Sequence, residues 1–300
     1  MGFEFTPHEG ERRMSAPNYT TGPYGRKGTA VRLVFLAMAV LTWLITLGGR
    51  AMGRRTVVLC YHGVRPEQQR RFERQIRAIR GRAVPLEDLA ASTHPRPVAV
   101  TFDDAFYCLH EHALPVLRQN DIPATVYAVS GVLGTVPTWA IAPEHPEASL
   151  RTMTPAELIT CADTPGITIG SHTMTHPALT GVSPEQLVTE LSESKQSLER
   201  VLGRPVVDLA YPHGAHSPAV DAAAVDAGYS RITTLGACAE RPPAGPLIAR
   251  FLMDPDAWPI EFKLTIDGAY AWRRFLRKAL GRERASTTPA PQPTRQEAAA

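Results

Sequence analysis

Cysteine is scarce in this 300-residue chain. The four present, Cys60, Cys108, Cys161 and Cys238, are too far apart for a zinc knuckle or a redox C-x-x-C pair. Cys60 and Cys108 sit in apolar patterns, so buried reduced thiols are expected, which leans toward a reducing compartment. A surplus of one charge is lacking as well, since the formal net charge is only +3. The charge is uneven, however. Residues 1–55 carry eight Lys/Arg against three Glu, and residues 271–300 carry seven against two, which leaves the middle net acidic. That middle offers no case for a nucleic-acid partner. Basic ends beside an apolar segment suit an anionic membrane surface better. The 44% hydrophobic content still allows a sizeable core.

Long hydrophobic runs are missing except for one, Ala30 to Leu47, whose only charge is Arg32. A bilayer core takes about 20 apolar residues, so the run reaches the lower limit if Arg32 snorkels to the interface. A transmembrane anchor over residues 30–49 is the expectation. A cleaved signal peptide and a buried core helix are the rivals. The 28-residue polar leader without an A-x-A site argues against the first, and the lack of a polar face against the second. Arg26, Lys27 and Arg32 on one side balance Arg50, Arg54 and Arg55 on the other, so the side of the membrane is undetermined. A start at Met52 would remove the anchor and give a soluble cytoplasmic enzyme. Residues 1–28 and the Pro/Ala/Thr-rich residues 282–300 read as disordered.

Residues 55–281 read as one domain. Strand signals at 57–61, 98–102, 124–129, 167–170, 206–211 and 230–234 alternate with helical ones. Thr154-Pro155-Ala156-Glu157 and Ser183-Pro184-Glu185-Gln186 are capping boxes with Pro at the first helical position. Such alternation implies an α/β protein with a parallel sheet, as a barrel or a doubly wound sheet. Gly131 to Thr154 is a long Pro-rich loop, a kind usually kept for function. After Arg241 the pattern weakens. Ala269 to Leu280 is a basic amphipathic stretch, either a docked terminal helix or a second membrane contact.

Three strand ends carry chemistry. Asp103 and Asp104 follow the strand ending at Phe102. Adjacent strand residues face opposite ways, so both carboxylates reach one site only if the chain turns there. Like charges so close call for a cation. The plainer reading, a helix cap, is equally open for the pair taken alone. His172 and His176 follow a short strand, and on a helical turn their i, i+4 spacing would put both on one metal. One carboxylate and two imidazoles leave positions for water and substrate. Pro212-His213-Gly214 then makes a sharp turn that can aim a backbone N–H at a developing oxyanion.

Thr101-Phe102-Asp103-Asp104, Ser171 to His176, and Ala210-Tyr211-Pro212-His213-Gly214 together resemble the first three motifs of the polysaccharide deacetylases, the NodB-homology domains of carbohydrate esterase family 4. The resemblance covers roughly Thr56 to Thr234. It implies a distorted (β/α) barrel and hydrolysis of N-acetyl groups on amino sugars of a glycan. By position Asp103 resembles the catalytic base. Asp104, His172 and His176 resemble the ligands of a divalent metal, with zinc the expected ion. The Tyr211 N–H resembles the oxyanion donor.

There are departures. The residue after the Asp pair is usually Gly; here it is Ala105, tolerable if its φ is negative. No Arg precedes Pro212, and no His follows His216 to serve as the late general acid. Tyr61-His62-Gly63 is similar to an early His motif in the permuted poly-N-acetylglucosamine deacetylases, which makes His62 the candidate acid. A strand-end His bonded to backbone is the alternative. Asp254-Pro255-Asp256-Ala257-Trp258 resembles the family's Asp-Trp motif at an unusual place. Trp139, Pro212 and Arg250 are the candidates on the substrate side, and Arg250 is also placed to orient Asp103. The competing functions are an inactive glycan-binding module and an amide or cyclic-imide hydrolase with the same metal site.

Overall fold

The computed structural model describes residues 29–48, 51, 53–139, 141, 145–236 and 245–272. Seven parallel strands close into a barrel in sequence order: β1 (Val57–Tyr61), β2 (Val98–Phe102), β3 (Ala124–Ala128), β4 (Ile167–Ser171), β5 (Asp208–Ala210), β6 (Arg231–Leu235) and β7 (Leu247–Leu252). Helices form the outer layer, as the resemblance implied. The runs Val-Val-Leu-Cys-Tyr, Val-Ala-Val-Thr-Phe and Ala-Thr-Val-Tyr-Ala are buried at every position. Parallel strands covered on both faces require such near-continuous runs. β1 and β7 close the ring at Leu59↔Phe251 and Cys60↔Leu252. β4 meets β5 through one register pair, Ser171↔Leu209. That is the thinnest seam of the barrel.

The outer helices are α1 (Thr29–Ile45), α2 (Gln69–Ile79), α3 (Leu114–Gln119), α4 (Pro155–Ala162), α5 (Pro184–Leu202), α6 (Pro218–Asp226) and α7 (Pro259–Ile266). Both capping boxes form, at Thr154/Glu157 and Ser183/Gln186. β7 and α7 lie where the sequence pattern had faded. Cys60, Cys108 and Cys161 are buried free thiols, as expected. Cys238, the segments 1–28 and 282–300, and the amphipathic stretch beyond Trp272 lie outside the described residues.

The segment expected as an anchor, residues 30–49, falls mostly on α1. α1 has 17 residues, so it is about 26 Å long against a hydrocarbon core of about 30 Å. No helix among the described residues is long and apolar enough to cross a membrane. α1 instead lies on the barrel against α7. Arg32 does not snorkel: its Nε donates to Glu261 Oε1 at 2.6 Å. Trp43 Nε1 donates to Asp267 Oδ2 at 2.9 Å, and Ala39 is fully buried.

Candidate active site

Four of the site residues share one placement: each is the first residue past a strand's C-terminal end. His62 follows β1, Asp103 follows β2, His172 follows β4 and Tyr211 follows β5. The strand ladder continues one step to fix them. Asp103 N–H donates to Tyr61 O at 2.9 Å, and His172 N–H to Ala128 O at 2.8 Å. This is the rim where barrel enzymes gather catalytic groups.

The Asp pair turns as required, but not as the sequence suggested. Asp104 has φ +67° and Ala105 φ +46°. Ala105 therefore does not meet the condition of a negative φ under which Ala would sit there without strain. A left-handed L-residue costs roughly 1–2 kcal/mol, and here two are consecutive. Ala105 is fully buried, and its carbonyl accepts from Met153 N–H at 2.9 Å, which holds the turn.

The His172–His176 segment is likewise not a helical turn. Thr173 has φ +67° and His176 φ +65°. Side chains supply the bonds that a helix would make internally. Ser171 Oγ accepts from Thr173 N–H, and Thr173 Oγ1 from His176 N–H, both at 3.1 Å. The buried Glu190 of α5 accepts from Met174 N–H at 2.8 Å and Thr175 N–H at 2.9 Å. Glu190 lies 14 residues beyond the motif on a helix, so no local pattern announced it.

Asp103 belongs to Arg250. The guanidinium, with no exposed surface, donates from Nη1 to Oδ1 at 2.5 Å and from Nη2 to Oδ2 at 2.9 Å. The Cys60 thiol adds a contact to Oδ2 at 3.3 Å. Burial by itself would raise the Asp103 pKa, but Arg250, then His172 and His62, hold it well below the usual carboxylate range. Asp104 has no such partner. Its Oδ1 is buried and accepts no hydrogen bond, and burial, with Asp103 and Glu147, pushes its pKa up to about 8. Two adjacent carboxylates thus take opposite states because one cation serves only one of them.

Asp104 Oδ1 faces His172 Nε2 at 3.8 Å and His176 Nε2 at 3.6 Å. The ligand atoms of these three buried residues all lie within 4.8 Å of one another. His172 Nδ1 bonds the Ala210 carbonyl at 2.8 Å, which leaves Nε2 as the lone-pair nitrogen. Burial lowers the His172 pKa to about 4 and pushes His176 well below its usual value, with His172 and His213 adding to the latter. Two neutral imidazoles and an orphaned carboxylate oxygen fit a divalent cation.

His62 stands near the same charges. Burial alone would lower its pKa, but Glu147, Asp104 and Asp103 together raise it. Glu147 comes from the long loop 131–154. Trp139, from the same loop, stacks on His176 with ring centroids 4.5 Å apart and an interplanar angle of 29°.

Other candidates are placed differently. The Tyr211 N–H donates to Thr233 O at 2.9 Å, extending the β5–β6 ladder, and its side chain is fully buried. Its assignment as oxyanion donor is corrected, because the ladder occupies that N–H. Pro212 is buried within the turn. His213, overlooked in the sequence, is half-exposed and sits 4.8 Å ring to ring from His176, on a backbone with φ +58°. Its signal was present as the middle residue of Pro-x-Gly. Trp258, in the segment resembling the Asp-Trp motif, instead lies under Arg32 of α1, 3.9 Å from ring centroid to guanidinium.

Residues 90–232 match the family model described as polysaccharide deacetylase. A putative polysaccharide deacetylase of Bacillus subtilis (strain 168), YxkH, is 27% identical over 147 residues, or 48% of this chain and 47% of that protein. The match therefore spans about half the length of this curated relative. IcaB from Ammonifex degensii superposes with a TM-score of 0.61 at 24% identity, over 71% of this chain and 98% of that one. The Streptococcus pyogenes deacetylase PplD in complex with acetate gives 0.60 at 20% identity, over 71% and 99%. At these identities the structural likeness speaks for the fold.

Proposed function

We propose that this chain, whose residues 90–232 match the polysaccharide deacetylase family model, is a metal-dependent hydrolase that removes N-acetyl groups from amino-sugar residues of a glycan. One observation carries the reading: a carboxylate held anionic by Arg250 stands beside a buried carboxylate oxygen without a hydrogen bond and two histidines, their ligand atoms within 4.8 Å of one another. Asp104, His172 and His176 would hold a divalent ion, with zinc the expected one. When bound, such an ion would supply Lewis acidity toward the acetamide carbonyl and toward a water near neutral pH.

The remaining chemistry belongs to the chain. Asp103 takes the proton of the attacking water. Arg250 fixes both of its oxygens, so Arg250 is a positioning residue rather than a substrate contact. His62, whose pKa is raised by Glu147, Asp104 and Asp103 against the effect of burial, gives its proton to the leaving sugar nitrogen. His213 replaces Tyr211 as the residue of its motif that faces the reacting carbonyl. Trp139 presents the ring face opposite His176 to the sugar.

The test is acetate release from N-acetylglucosamine oligomers by the zinc-loaded full chain. Asp103→Asn should lower the rate by about 10²–10⁴-fold, the range for loss of a positioned base. Unchanged activity in that variant removes Asp103 from the role. Glycan binding without acetate release by the zinc-loaded wild type would make the domain a binding module.

A further inference from the structure

α1 has two faces that its sequence does not announce. Arg32, Phe35, Leu36, Ala39, Val40 and Trp43 recur at helical spacing and meet the barrel. On the opposite face Val34, Met38, Leu41 and Ile45 are 61, 42, 51 and 71% exposed, flanked by Leu33 and Leu44 at 50 and 57%. No charged residue occurs between Leu33 and Leu47. Single exposed apolar side chains are ordinary, whereas a contiguous ridge of them marks an interaction surface.

The charge beside the ridge indicates what covers it. At the C-terminal end of α1, Asp267 is shared by Lys263 at 2.6 Å and by Arg82 and Arg96 at 3.4 Å each. Three cations thus meet one carboxylate, and the Lys263 side chain is 59% exposed. A cleft of about 470 Å³ opens there between Trp43, Leu44 and Leu47 on one side and Arg96, Lys263 and the Asp267 they share on the other. The apolar ridge therefore runs into a wall that sets two cations against one carboxylate. Trp43 lies at this end and Trp258, 36% exposed under Arg32, at the other. Tryptophan at both ends suits the boundary between acyl chains and headgroups. The sequence up to residue 55 adds its excess of basic residues.

We propose that the outer face of α1 lies in the surface of an anionic lipid bilayer, with the helix in the membrane plane and lipid phosphates at the Lys263–Arg96 wall. Arg32 and Trp43 keep the helix on the barrel, so the contact is interfacial and the helix does not span. A second copy of the chain fits less well, because a symmetric pair would set these basic surfaces against each other. The proposal does not depend on the catalytic reading.

The experiment is flotation of the full chain with vesicles of phosphatidylcholine alone or mixed with phosphatidylglycerol. Wild type should float with the anionic vesicles and bind the neutral ones roughly tenfold more weakly. The triple variant Leu41→Ser/Leu44→Ser/Ile45→Ser should lose anionic binding by roughly tenfold or more, while its melting temperature and far-UV circular dichroism stay near wild type. Should the triple variant not fold, Leu41→Asn alone and a rise in salt serve instead; each should weaken binding. A folded variant that floats like wild type overturns the proposal, as does a wild type that does not float. A wild-type dimer in light scattering, broken by the same substitutions and indifferent to vesicles, would give the ridge to a second copy.

Discussion

Two of the regions where this molecule buries carboxylates are unbalanced in charge in opposite directions. At the barrel rim Asp103 and Asp104 share one cation, Arg250, and Asp104 is left with a bare oxygen. Beside α1, Asp267 faces three cations, Arg82, Arg96 and Lys263. A region short of positive charge takes up a cation, and a region with an excess attracts an anion. Neither imbalance is stable as isolated buried charge, since an unpaired ion inside a protein costs several kcal/mol. The difference teaches where to look for partners: at the rim inside the protein, and along α1 outside it.

The comparison breaks most severely at Arg250. Arg250→Met removes the guanidinium bonded to Asp103 and leaves two buried carboxylates side by side. Urea unfolding of the variant should show a loss of about 3–5 kcal/mol, the usual range for stripping one partner from a buried pair. A loss under 1 kcal/mol would mean that the rim tolerates unpaired charge.

The rim's deficit also sets a pH dependence. Asp104 holds its proton up to about pH 8, whereas His172 is neutral above about pH 4. A metal must displace the Asp104 proton below pH 8, so affinity rises with pH across that window. Zinc titration by calorimetry should show roughly 50-fold weaker binding at pH 6 than at pH 8. In the metal-free protein the same raised pKa favours folding at low pH, and that contribution is lost as pH rises from about 4 to about 8.

On the other side, Arg32→Leu strips Glu261, which is 2% exposed, of its guanidinium partner. Thermal or urea unfolding should show a loss of about 1–3 kcal/mol, the cost of an unsatisfied buried acceptor. The effect should fall below that of Arg250→Met, because the Arg32 side chain is 28% exposed and water screens the pair. The smallest change sharpens the rim itself. Ala105→Gly relieves the φ of +46° and should stabilise by about 0.5–1 kcal/mol, net of the flexibility Gly adds to the unfolded chain.

Most of the barrel was legible locally. Six strands announce themselves because both faces of a parallel strand are buried, so the residues must be apolar in sequence. β7 escaped notice because Leu-Ile-Ala-Arg-Phe-Leu carries a charge that only makes sense beside Asp103, 147 residues away. The ligand set Asp104, His172 and His176 was legible as residue types at successive strand ends. The conformation joining them was not. The i, i+4 spacing suggested a helical turn, but Glu190 and two hydroxyls stabilise a loop with positive φ. The Tyr211 N–H looked available until β6 paired with it.

The amino-acid sequence alone determined six of the seven strands, the capped helices and which side chains could bind a metal, because hydrophobic runs, caps and ligand types are properties of short segments. Tertiary structure alone decided which carboxylate is ionised, which N–H is occupied and where α1 lies. Each of these depends on a partner far along the chain: Arg250 for Asp103, Thr233 for Tyr211, Glu261 and Asp267 for α1. Burial and Coulomb interactions act through space, so no local pattern records them.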